Sequence, residues 1–410
     1  MEHVTLLHQK RILLAVTGSI AVYKAVDLAS KLTQAGALVD VIMTAAAQQF
    51  VAPITFQAVT GRPVYTDLWQ TDQSGGLPTH IAHVGLGEGA DLLAVVPATA
   101  NTIARLAQGL ADDLLSVTAL TARCPLLIAP AMDGGMYEHP ATQANLETLI
   151  GRGAYLIEPE EGRFASGLNG RGRLPETQTL LGHIRCALGK NGILKGKHVV
   201  VTAGGTREPL DPVRYISNHS SGKQGYALAQ AALDAGATVT LISTVNLPIP
   251  VGAELITVDT AESMQAAVLA QMPKTSILIM AAAIADFRPL ARAEQKIKKS
   301  DDGSSPTIEL TRNPDILVSV KAQRDQSQHP ETVVGFAAES QHLLENAQGK
   351  LERKGLDLIV ANDITATDAG FSSDYNRVVI LDRDGGREEI ERETKARISE
   401  RVIERVALLY

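Results

Sequence analysis

The same order of secondary structure occurs twice along the chain, and this repeat restricts the fold more than any other feature. In the first half, an apolar run at Ile12–Val16 leads into a glycine turn and a helical apolar spacing over Val22–Leu32. In the second half, Val199–Val201 leads into a glycine-rich turn, a helix predicted at Gly222–Ala235 and a further apolar run at Val239–Ile242. Such runs are typical of strands buried on both faces of a parallel sheet. Two β-α-β units therefore predict two doubly wound, Rossmann-like α/β domains, each with a mostly parallel sheet.

A weakly patterned stretch separates the two units. Glu158–Arg173 is rich in glycine and charge and is interpreted as a long loop, and a short helix is predicted at Glu176–Leu188. Near the C-terminus, a strand pair is predicted around Asp384–Gly386, followed by a helix from about Lys395 to Leu409. We therefore divide the chain into domains at 1–189 and 190–410.

The composition indicates an ordinary globular protein. Hydrophobic residues make up 45% of the 410 positions and charged residues 20%. The net charge of −7 and the aromatic share of 4% argue against a nucleic-acid partner, which selects basic surfaces and stacking rings. No run of about 18 apolar residues predicts a membrane span. Cys124 and Cys186 match neither a disulfide framework nor a zinc motif, so a reducing cytoplasm is the expected location.

The first glycine turn predicts an anion site. Thr17-Gly18-Ser19 joins a buried strand directly to a helix, where free backbone N–H groups and the helix dipole favour a phosphate. A glycine turn also occurs in many α/β proteins for steric reasons alone. At this point both interpretations stand with about equal weight.

Four further segments of the first half carry a family resemblance: VIMTAAAQQF (41–50), HVGLGEGADLLAVVPATAN (83–101), APAMDGGMY (129–137) and ASGLNGRGR (165–173). In this order and spacing they resemble the flavin-dependent cysteine decarboxylases, over about residues 8–175. The resemblance implies FMN as cofactor and His83 as the catalytic histidine, a position that the neighbouring His80 fits less well. It assigns the FMN contacts to Gly18, Ser19, Thr44, Thr99 and Asn101.

The implied chemistry explains these residue types. Flavin oxidises the thiol to a thioaldehyde, which gives the carbanion left by CO2 an electron sink, and a histidine such as His83 takes a proton near neutral pH. The chain departs from the family pattern at two positions assigned to catalysis. Asp133 stands where the pattern has Asn, and Ser166 stands where it has a proton-donating Cys. We interpret the pair as a variant site whose last reduction step differs.

The second glycine turn is a different kind of phosphate-friendly strand end. Ala203–Pro209, AGGTREP, is neither a Walker loop nor a dinucleotide fingerprint. Its glycines allow backbone to approach a polyphosphate, and Arg207 adds charge. ISNHSSGKQG (216–225) then places more polar residues before a helix than a cap requires.

The segments that follow carry the second resemblance: AAAIADFRP (281–289), KIKK (296–299), NPDI (313–316) and VGFAAE (334–339), with Lys350 and Lys354 beyond them. With the preceding turn they resemble the CTP-dependent bacterial ligase that joins 4′-phosphopantothenate to cysteine, over about residues 194–382. Two lysines four residues apart usually lie on a solvated helix face. The spacing of Lys350 and Lys354 from VGFAAE matches the family, so the resemblance favours a binding role for them instead. The resemblance implies a substrate site with Mg²⁺ on the triphosphate and with these contacts: Gly204, Gly205, Thr206, Arg207, Asp286, Lys296, Asn313, Pro314, Asp315, Ile316, Phe336, Lys350 and Lys354.

The two resemblances imply consecutive reactions. An acyl-cytidylate forms at a site with Asn218 and Lys296 as catalytic residues, cysteine displaces CMP, and the flavin half decarboxylates the product to 4′-phosphopantetheine. A homo-oligomer is also implied, with trimeric decarboxylase and dimeric ligase contacts that combine in a dodecamer. Two alternatives stay open: a decarboxylase acting on a peptide C-terminal cysteine, or a non-catalytic flavin-binding regulatory protein.

Overall fold

The chain consists of two compact units, residues 1–189 and 190–410. The structure is a computed structural model, and it describes residues 4–69, 81–164, 166–298, 307–339, 343–363 and 373–410. In this part of the chain, no helix has the length and apolar character that a membrane crossing requires. Within the described residues, Cys124 and Cys186 are not joined in a disulfide.

The first unit alternates strands and helices along most of its length. Its strands are β1 Arg11–Val16, β2 Leu38–Met43, β3 Val64–Tyr65, β4 Leu92–Ala98, β5 Leu126–Pro130, β6 Tyr155–Leu156, β7 Glu160–Arg163 and β8 Asn169–Arg173. Its helices are α1 Val22–Gln34, α2 Pro53–Thr60, α3 Ala82–Gly89, α4 Ala100–Gln108, α5 Leu114–Thr121, α6 Gly134–Tyr137, α7 Pro140–Gly151 and α8 Thr177–Gly189. Short 3-10 turns lie at Thr5–Leu7 and Ala47–Gln49.

The main sheet of this unit is doubly wound. Its six strands run in the order β3-β2-β1-β4-β5-β6, and all of their pairings are parallel. Alternate residues of β1 enter different cores: Ile12 and Leu14 pack with α1, while Leu13 and Ala15 pack on the opposite face. The chain leaves β1 toward β2 and returns to β4 on its other side, so a crevice opens between the carboxyl ends of β1 and β4. The predicted fold class is thus confirmed for this half.

The prediction of a long loop at Glu158–Arg173 is wrong. Strands β7 and β8 form an antiparallel hairpin in this segment. Its glycines serve the pairing and close packing: a side chain at Gly172 would meet the backbone oxygen of Met132 at 2.3 Å. Glycine and charge are typical of loops, but a solvated two-stranded ribbon has the same composition because it buries little apolar surface.

The second unit has the same plan with longer strands. Its strands are β9 His198–Ala203, β10 Arg207–Pro209, β11 Tyr215–Ser217, β12 Thr238–Ser243, β13 Ala253–Thr257, β14 Ile277–Met280, β15 Phe287–Pro289, β16 Leu310–Arg312, β17 Thr332–Glu339, β18 Leu358–Asp363, β19 Tyr375–Asp382 and β20 Arg387–Thr394. Its helices are α9 Lys223–Asp234, α10 Ala261–Gln271, α11 Ile316–Ser327, α12 Leu343–Lys354 and α13 Lys395–Ala407, with a 3-10 turn at Met272–Lys274.

The main sheet of this unit has eight strands in the order β13-β12-β9-β14-β17-β18-β19-β20. The first six are parallel, and β19 and β20 close the sheet as an antiparallel pair. Helices α9 and α13 cover one face, and α10, α11 and α12 cover the other. Because β19 runs antiparallel to β18, its first residues lie beside the carboxyl end of β18. The crevice between β9 and β14 therefore extends along this edge as far as β19.

Candidate functional site

In the first unit, the predicted flavin residues lie at the carboxyl edge of the sheet. Thr17 ties two strand ends together: its hydroxyl donates to the Pro97 carbonyl at 2.7 Å and accepts from the Thr99 N–H at 3.0 Å. Thr99 caps α4, so Asn101 projects from the first turn of that helix and is exposed. Thr44 follows β2, and its N–H donates to the Val16 carbonyl at 3.1 Å.

The turn at Gly18 and Ser19 fits a bound phosphate. Among the described residues, the backbone N–H groups of Gly18 and Ile20 have no hydrogen-bond acceptor, and they precede the first turn of α1. Such groups at a helix N-terminus favour an anion. Gly18 is also required sterically, because a side chain there would meet the Ala46 methyl at 2.5 Å. The two interpretations of the turn are therefore compatible.

The two departures from the family pattern are in contact. The Ser166 hydroxyl, at the tip of the β7–β8 hairpin, donates to Asp133 Oδ2 at 2.9 Å. Asp133 caps α6, and its other oxygen accepts from the Gly135 N–H at 3.2 Å. These two contacts fix the orientation of the Asp133 carboxyl group. The serine proton is therefore directed to Asp133, and the two residues act as one polar unit.

Glu158 fixes the hairpin against the segment that carries Asp133. Its carboxylate accepts from the Tyr137 hydroxyl at 2.9 Å and from the Arg171 guanidinium at 2.8 Å. Burial, together with the neighbouring Glu158 carboxylate, raises the pKa of Tyr137 to about 12. The phenol therefore stays a hydrogen-bond donor throughout the neutral pH range, and Glu158 links strand β8 to α6.

In the described part of a single chain, His83 does not lie with Asp133, Ser166 and the predicted flavin contacts. It is half-buried in the first turn of α3, and its backbone carbonyl accepts from the Thr121 hydroxyl at 2.9 Å. Thr121 ends α5 just before β5, at the amino edge of the sheet, whereas Thr99 and Asp133 lie at the carboxyl edge. His80 lies outside the described residues.

In the second unit, a cleft of about 900 Å³ opens at the carboxyl edge of the main sheet. Backbone from the ends of β14 and β17 forms its floor, at Ala281–Ala283 and Phe336. It brings together most of the residues that the second resemblance assigns. These are Asn218, Asp286, Asn313, Pro314, Asp315, Ile316, Phe336, Lys350 and Lys354.

Hydrogen bonds hold the NPDI segment against the Asp286 loop. The Asn313 side chain donates to the Ala285 carbonyl at 2.8 Å, and its backbone N–H donates to the Asp286 carbonyl at 2.9 Å. Asp315 caps α11 through the Val318 N–H and forms an ion pair with Lys354 of α12. The wall of the cleft therefore combines acceptors with the lysine charge that a nucleotide triphosphate requires.

Asn218 is held at the opposite wall. Its side-chain amide donates to the Ile284 carbonyl at 2.9 Å, which links the loop before α9 to the loop after β14. Gly205 lies behind it, and a side chain at Gly205 would approach the Asn218 carbonyl oxygen to 2.6 Å. Thr206 is buried, and its hydroxyl accepts from the Ala285 N–H at 3.0 Å.

The remaining predicted contacts are not part of the cleft lining in the described part of the chain. Among the described residues that line it, Gly204–Arg207 and Lys296 are not present. Gly204 has a φ of 88°, and a side chain there would meet the Thr244 hydroxyl at 2.2 Å. The backbone therefore requires glycine at this position whether or not a ligand binds nearby. Arg207 pairs with Asp259 at 3.8 Å and lies over the Tyr215 ring. Their assignment as CTP contacts stays a prediction.

Asp211 holds the segment that carries Lys296. Its buried carboxylate accepts from the Arg214 guanidinium at 2.5 and 2.9 Å and from the Ile297 N–H at 3.2 Å. The Arg214 guanidinium, helped by backbone N–H groups, holds the pKa of Asp211 far below its usual range. Because the pKa of Asp211 is lower in the folded state, its ionised carboxylate stabilises the native state at pH values above the unfolded-state pKa of about 3.9. This stabilisation is lost as the pH falls through the folded-state pKa. The contact is therefore complete at neutral pH.

We expect Asp211→Asn to loosen this segment. The amide loses the charge that binds Arg214, and its NH₂ faces N–H donors. The KM for CTP should rise about 10-fold, with faster proteolysis near Lys296, because a charge-assisted contact is lost. Asp325→Asn, on the exposed side of α11, is the matched control. Unchanged KM and proteolysis in the Asp211 variant would show that the contact has no role in positioning.

The polar residues at one end of the cleft are not among the contacts that the second resemblance assigns, although Gln224 belongs to the ISNHSSGKQG segment. The end near β19 is also lined by Gln224, Asn362, Asn376 and Lys395. They come from α9, β18, β19 and α13, which are far apart in sequence. No spacing rule groups them, because the antiparallel return of β19 and β20 brings them to one edge.

Comparisons with known proteins agree with this architecture. Residues 1–188 match the family model described as Flavoprotein, and residues 194–409 match the DNA/pantothenate metabolism flavoprotein C-terminal domain. Coenzyme A biosynthesis bifunctional protein CoaBC of Bacillus subtilis (strain 168) is 46% identical and covers 98% of this chain and 98% of its own length. The protein of that name from Vibrio cholerae serotype O1 is also 46% identical, over 92% of each chain. A solved C-terminal domain of a Coenzyme A biosynthesis bifunctional protein CoaBC is 33% identical, with a TM-score of 0.45, and covers 53% of this chain and 97% of that one.

The full-length relatives match through both units, and one family model falls on each unit. The two resemblances drawn from the sequence motifs are confirmed at this level. The chain therefore belongs to the family of bifunctional coenzyme A biosynthesis proteins, with a flavoprotein unit followed by a ligase unit of the DNA/pantothenate metabolism flavoprotein type.

Proposed function

We propose that the chain joins 4′-phosphopantothenate to cysteine with CTP and then decarboxylates the product to 4′-phosphopantetheine. The observation that carries the proposal is the cleft of the second unit. Residues from Asn218 to Lys354, dispersed through five loops and helices, meet in it at the sheet edge where ligands bind in doubly wound folds. The order of the two reactions follows from their chemistry, since the ligase attaches the cysteine whose carboxylate the decarboxylase then removes.

The ligase reaction needs two anions to meet. The carboxylate of the acid attacks the α-phosphorus of CTP, forming a new C–O–P linkage and releasing pyrophosphate; the cysteine amine then attacks the acyl carbon and releases CMP. Lys350 and Lys354 on α12 offset the charge of the triphosphate, and Phe336 offers a ring to the base. Asn218 lies across the floor from them and orients the acyl group with a neutral side chain.

We infer that Mg²⁺ enters bound to the nucleotide. In the described ranges, no cluster of three or more His, Cys, Asp or Glu side chains is arranged to hold a metal ion. Mg²⁺ commonly takes its ligands from substrate phosphates, one or two carboxylates and water. The exposed Asp286 at the cleft wall suits the role of single carboxylate. The ion supplies charge stabilisation at the phosphates.

For the decarboxylase reaction we propose FMN at the crevice of the first unit. The N–H groups of Gly18 and Ile20 suit its phosphate, and Thr44, Thr99 and Asn101 border the same crevice. The flavin supplies two-electron redox chemistry at the thiol carbon. The protein's own part is to hold the substrate carboxylate away from solvent and to accept a proton at His83, while Asp133 keeps Ser166 oriented.

We propose that an oligomer completes the flavin site. His83 lies toward the amino edge of the sheet, away from Thr99 and Asp133 at the carboxyl edge. A neighbouring subunit supplies the missing histidine if the flavin units form trimers and the ligase units pair, which together give a dodecamer. The thiol chemistry suits a reducing cytoplasm, where we place the protein.

A coupled assay tests both halves. The purified chain with CTP, Mg²⁺, cysteine and 4′-phosphopantothenate should release pyrophosphate and CMP in equal amounts, and then CO2. A chelator should stop pyrophosphate release but leave decarboxylation of added phosphopantothenoylcysteine intact. Absence of both pyrophosphate and CMP contradicts the ligase assignment.

Mass analysis of the organic product tests the variant site. We expect 4′-phosphopantetheine, which requires that the Asp133–Ser166 pair support the last reduction. Accumulation of an oxidised, decarboxylated enethiol shows instead that the reduction fails. A peptide ending in cysteine serves as the competing substrate, and preference for it contradicts the proposed substrate of the first unit.

A further inference from the structure

The loop after β14 is fixed by side chains that come from outside it. The buried Thr206 hydroxyl accepts from the Ala285 N–H at 3.0 Å. Asn313 binds two successive carbonyls of the loop: its side chain donates to that of Ala285 at 2.8 Å, and its backbone N–H donates to that of Asp286 at 2.9 Å. The position of the exposed Asp286 carboxylate at the cleft wall therefore depends on the contacts of Asn313.

Arg288 of β15 holds the other end of the Asn313 amide. One guanidinium nitrogen donates to Asn313 Oδ1 at 3.1 Å and to the Arg312 carbonyl at 3.0 Å. The other nitrogen pairs with Glu262 of α10 at 2.9 Å. A guanidinium has donors only, so the amide atom that faces it is the oxygen. The NH₂ group of Asn313 is thereby directed at the Ala285 carbonyl.

The strand pair that carries this contact is short. Strands β15 and β16 have three residues each, and Phe287 and Leu310 in them are each 48% exposed. A two-stranded ribbon that buries so little surface is marginal in water by itself. Among the described residues that line the cleft, Arg288 is not present. Its hydrogen bonds therefore support the wall of the cleft from behind.

We propose that Arg288 is a positioning residue of the ligase reaction, which fixes the Asn313 amide and thereby holds the Asp286 carboxylate where Mg²⁺ and CTP bind. The inference rests on the proposed function, in which Asp286 is the carboxylate ligand of the ion. Arg288 acts through the two loop carbonyls that Asn313 binds. Its loss should weaken the use of Mg²⁺ and CTP and leave the later attack by cysteine unchanged.

The experiment is Arg288→Met in the full chain, with pyrophosphate release as readout. The KM for CTP and the Mg²⁺ concentration at half-maximal rate should each rise about 10-fold, because a hydrogen bond from a charged group is lost. The kcat at saturating CTP and Mg²⁺ and the KM for cysteine should stay within about 3-fold. Arg292→Met, which removes an exposed arginine four positions along, is the matched control and should keep the wild-type values.

A double-mutant cycle shows whether the effect passes through Asn313. In an Asn313→Ala background, Arg288→Met should raise the KM for CTP by less than about 2-fold further, because the two side chains form one network. Glu262→Gln removes the outer ion pair, which is largely solvated, and should raise that KM by less than about 3-fold.

Backbone amide exchange gives a readout that needs no activity. Exchange over residues 284–288 and 310–314, followed by mass spectrometry, should be faster in Arg288→Met than in the wild type. Arg292→Met should match the wild type. Asn313→Ala should speed exchange over the same residues, and adding Arg288→Met to it should cause little further change, because the arginine acts on the loop through that amide.

Four results overturn the inference. They are an unchanged KM for CTP and Mg²⁺ dependence in Arg288→Met, additive effects in the cycle, unchanged amide exchange, and an equal rise in the KM for cysteine, which indicates general loosening. If Glu262→Gln matches Arg288→Met, the arginine acts by anchoring α10, which also contradicts it. A wild-type chain that releases no pyrophosphate shows instead that the proposed function fails.

Discussion

Replacing His83 with asparagine is expected to abolish CO2 release while leaving the ligase reaction unchanged. Asparagine keeps a hydrogen-bonding side chain of similar size but cannot accept a proton near neutral pH. General base catalysis contributes about 10²- to 10⁴-fold, so decarboxylation of phosphopantothenoylcysteine should fall by that amount. Folding should be preserved, because the contact that α3 makes through this residue uses the His83 backbone carbonyl and the Thr121 hydroxyl.

The matched control for this prediction is His139→Asn. His139 is exposed, and its ring caps α7 by accepting from the Ala141 N–H at 3.2 Å, a role that asparagine performs well. Both variants should retain flavin absorbance, thermal stability and pyrophosphate release. Normal CO2 release by His83→Asn would remove its catalytic role. Equal loss in both variants would point to a structural effect.

Mixing two inactive variants tests whether the flavin site is shared between subunits. If His83 of one chain serves the crevice of another, co-folded His83→Asn and Asn101→Ala chains should recover part of the lost activity, because some sites then receive both intact residues. No recovery would indicate that each chain completes its own site. The distance between the two sheet edges makes recovery the expected result.

The apolar runs and their glycine turns were sufficient to predict both main sheets. The strand predicted at Val239–Ile242 extends over Thr238–Ser243, and the helix predicted at Gly222–Ala235 extends over Lys223–Asp234. The reason is physical: strands buried on both faces need uninterrupted apolar runs, and only a helix crossover can join parallel neighbours. The hairpin of residues 160–173 lacks that signal because it is solvated on both faces.

Some residues of the cleft could likewise be predicted from the sequence, and others could not. Asp286 lies in the loop after β14 and Phe336 lies on the neighbouring strand β17, so their meeting at one edge could be predicted from the order of elements. Lys395 could not, although a helix starting there was predicted. Its place in the cleft depends on the antiparallel return of β19, and no local pattern encodes which long-range pairing a strand will make.

Asn218→Asp is expected to stop the ligase reaction at its first step. The wild-type amide donates to the Ile284 carbonyl at 2.9 Å, and an ionised carboxylate at that position would repel the carbonyl oxygen instead. It would also place a negative charge between a carboxylate nucleophile and a triphosphate. Loss of one preorganised donor at a reacting centre costs about 10²- to 10³-fold, and the added charge acts in the same direction. Pyrophosphate release should fall by at least that factor.

A measurement without cysteine identifies the step. In the wild type, one equivalent of pyrophosphate per site should appear with CTP and phosphopantothenate alone, because the acyl-cytidylate waits for its amine. Asn218→Asp should lose this burst, while it still decarboxylates added phosphopantothenoylcysteine at the wild-type rate. Asn145→Asp makes the same substitution on α7 of the first unit, where the Asn145 side chain accepts from Gln108 at 3.3 Å. This variant should leave the burst intact. A full burst followed by slow CMP release in Asn218→Asp would move the asparagine to the attack by cysteine. In that case the hydrogen bond from Asn218 to the Ile284 carbonyl would not be needed for the formation of the acyl-cytidylate. The loop after β14 would then contribute to the attack by the cysteine amine.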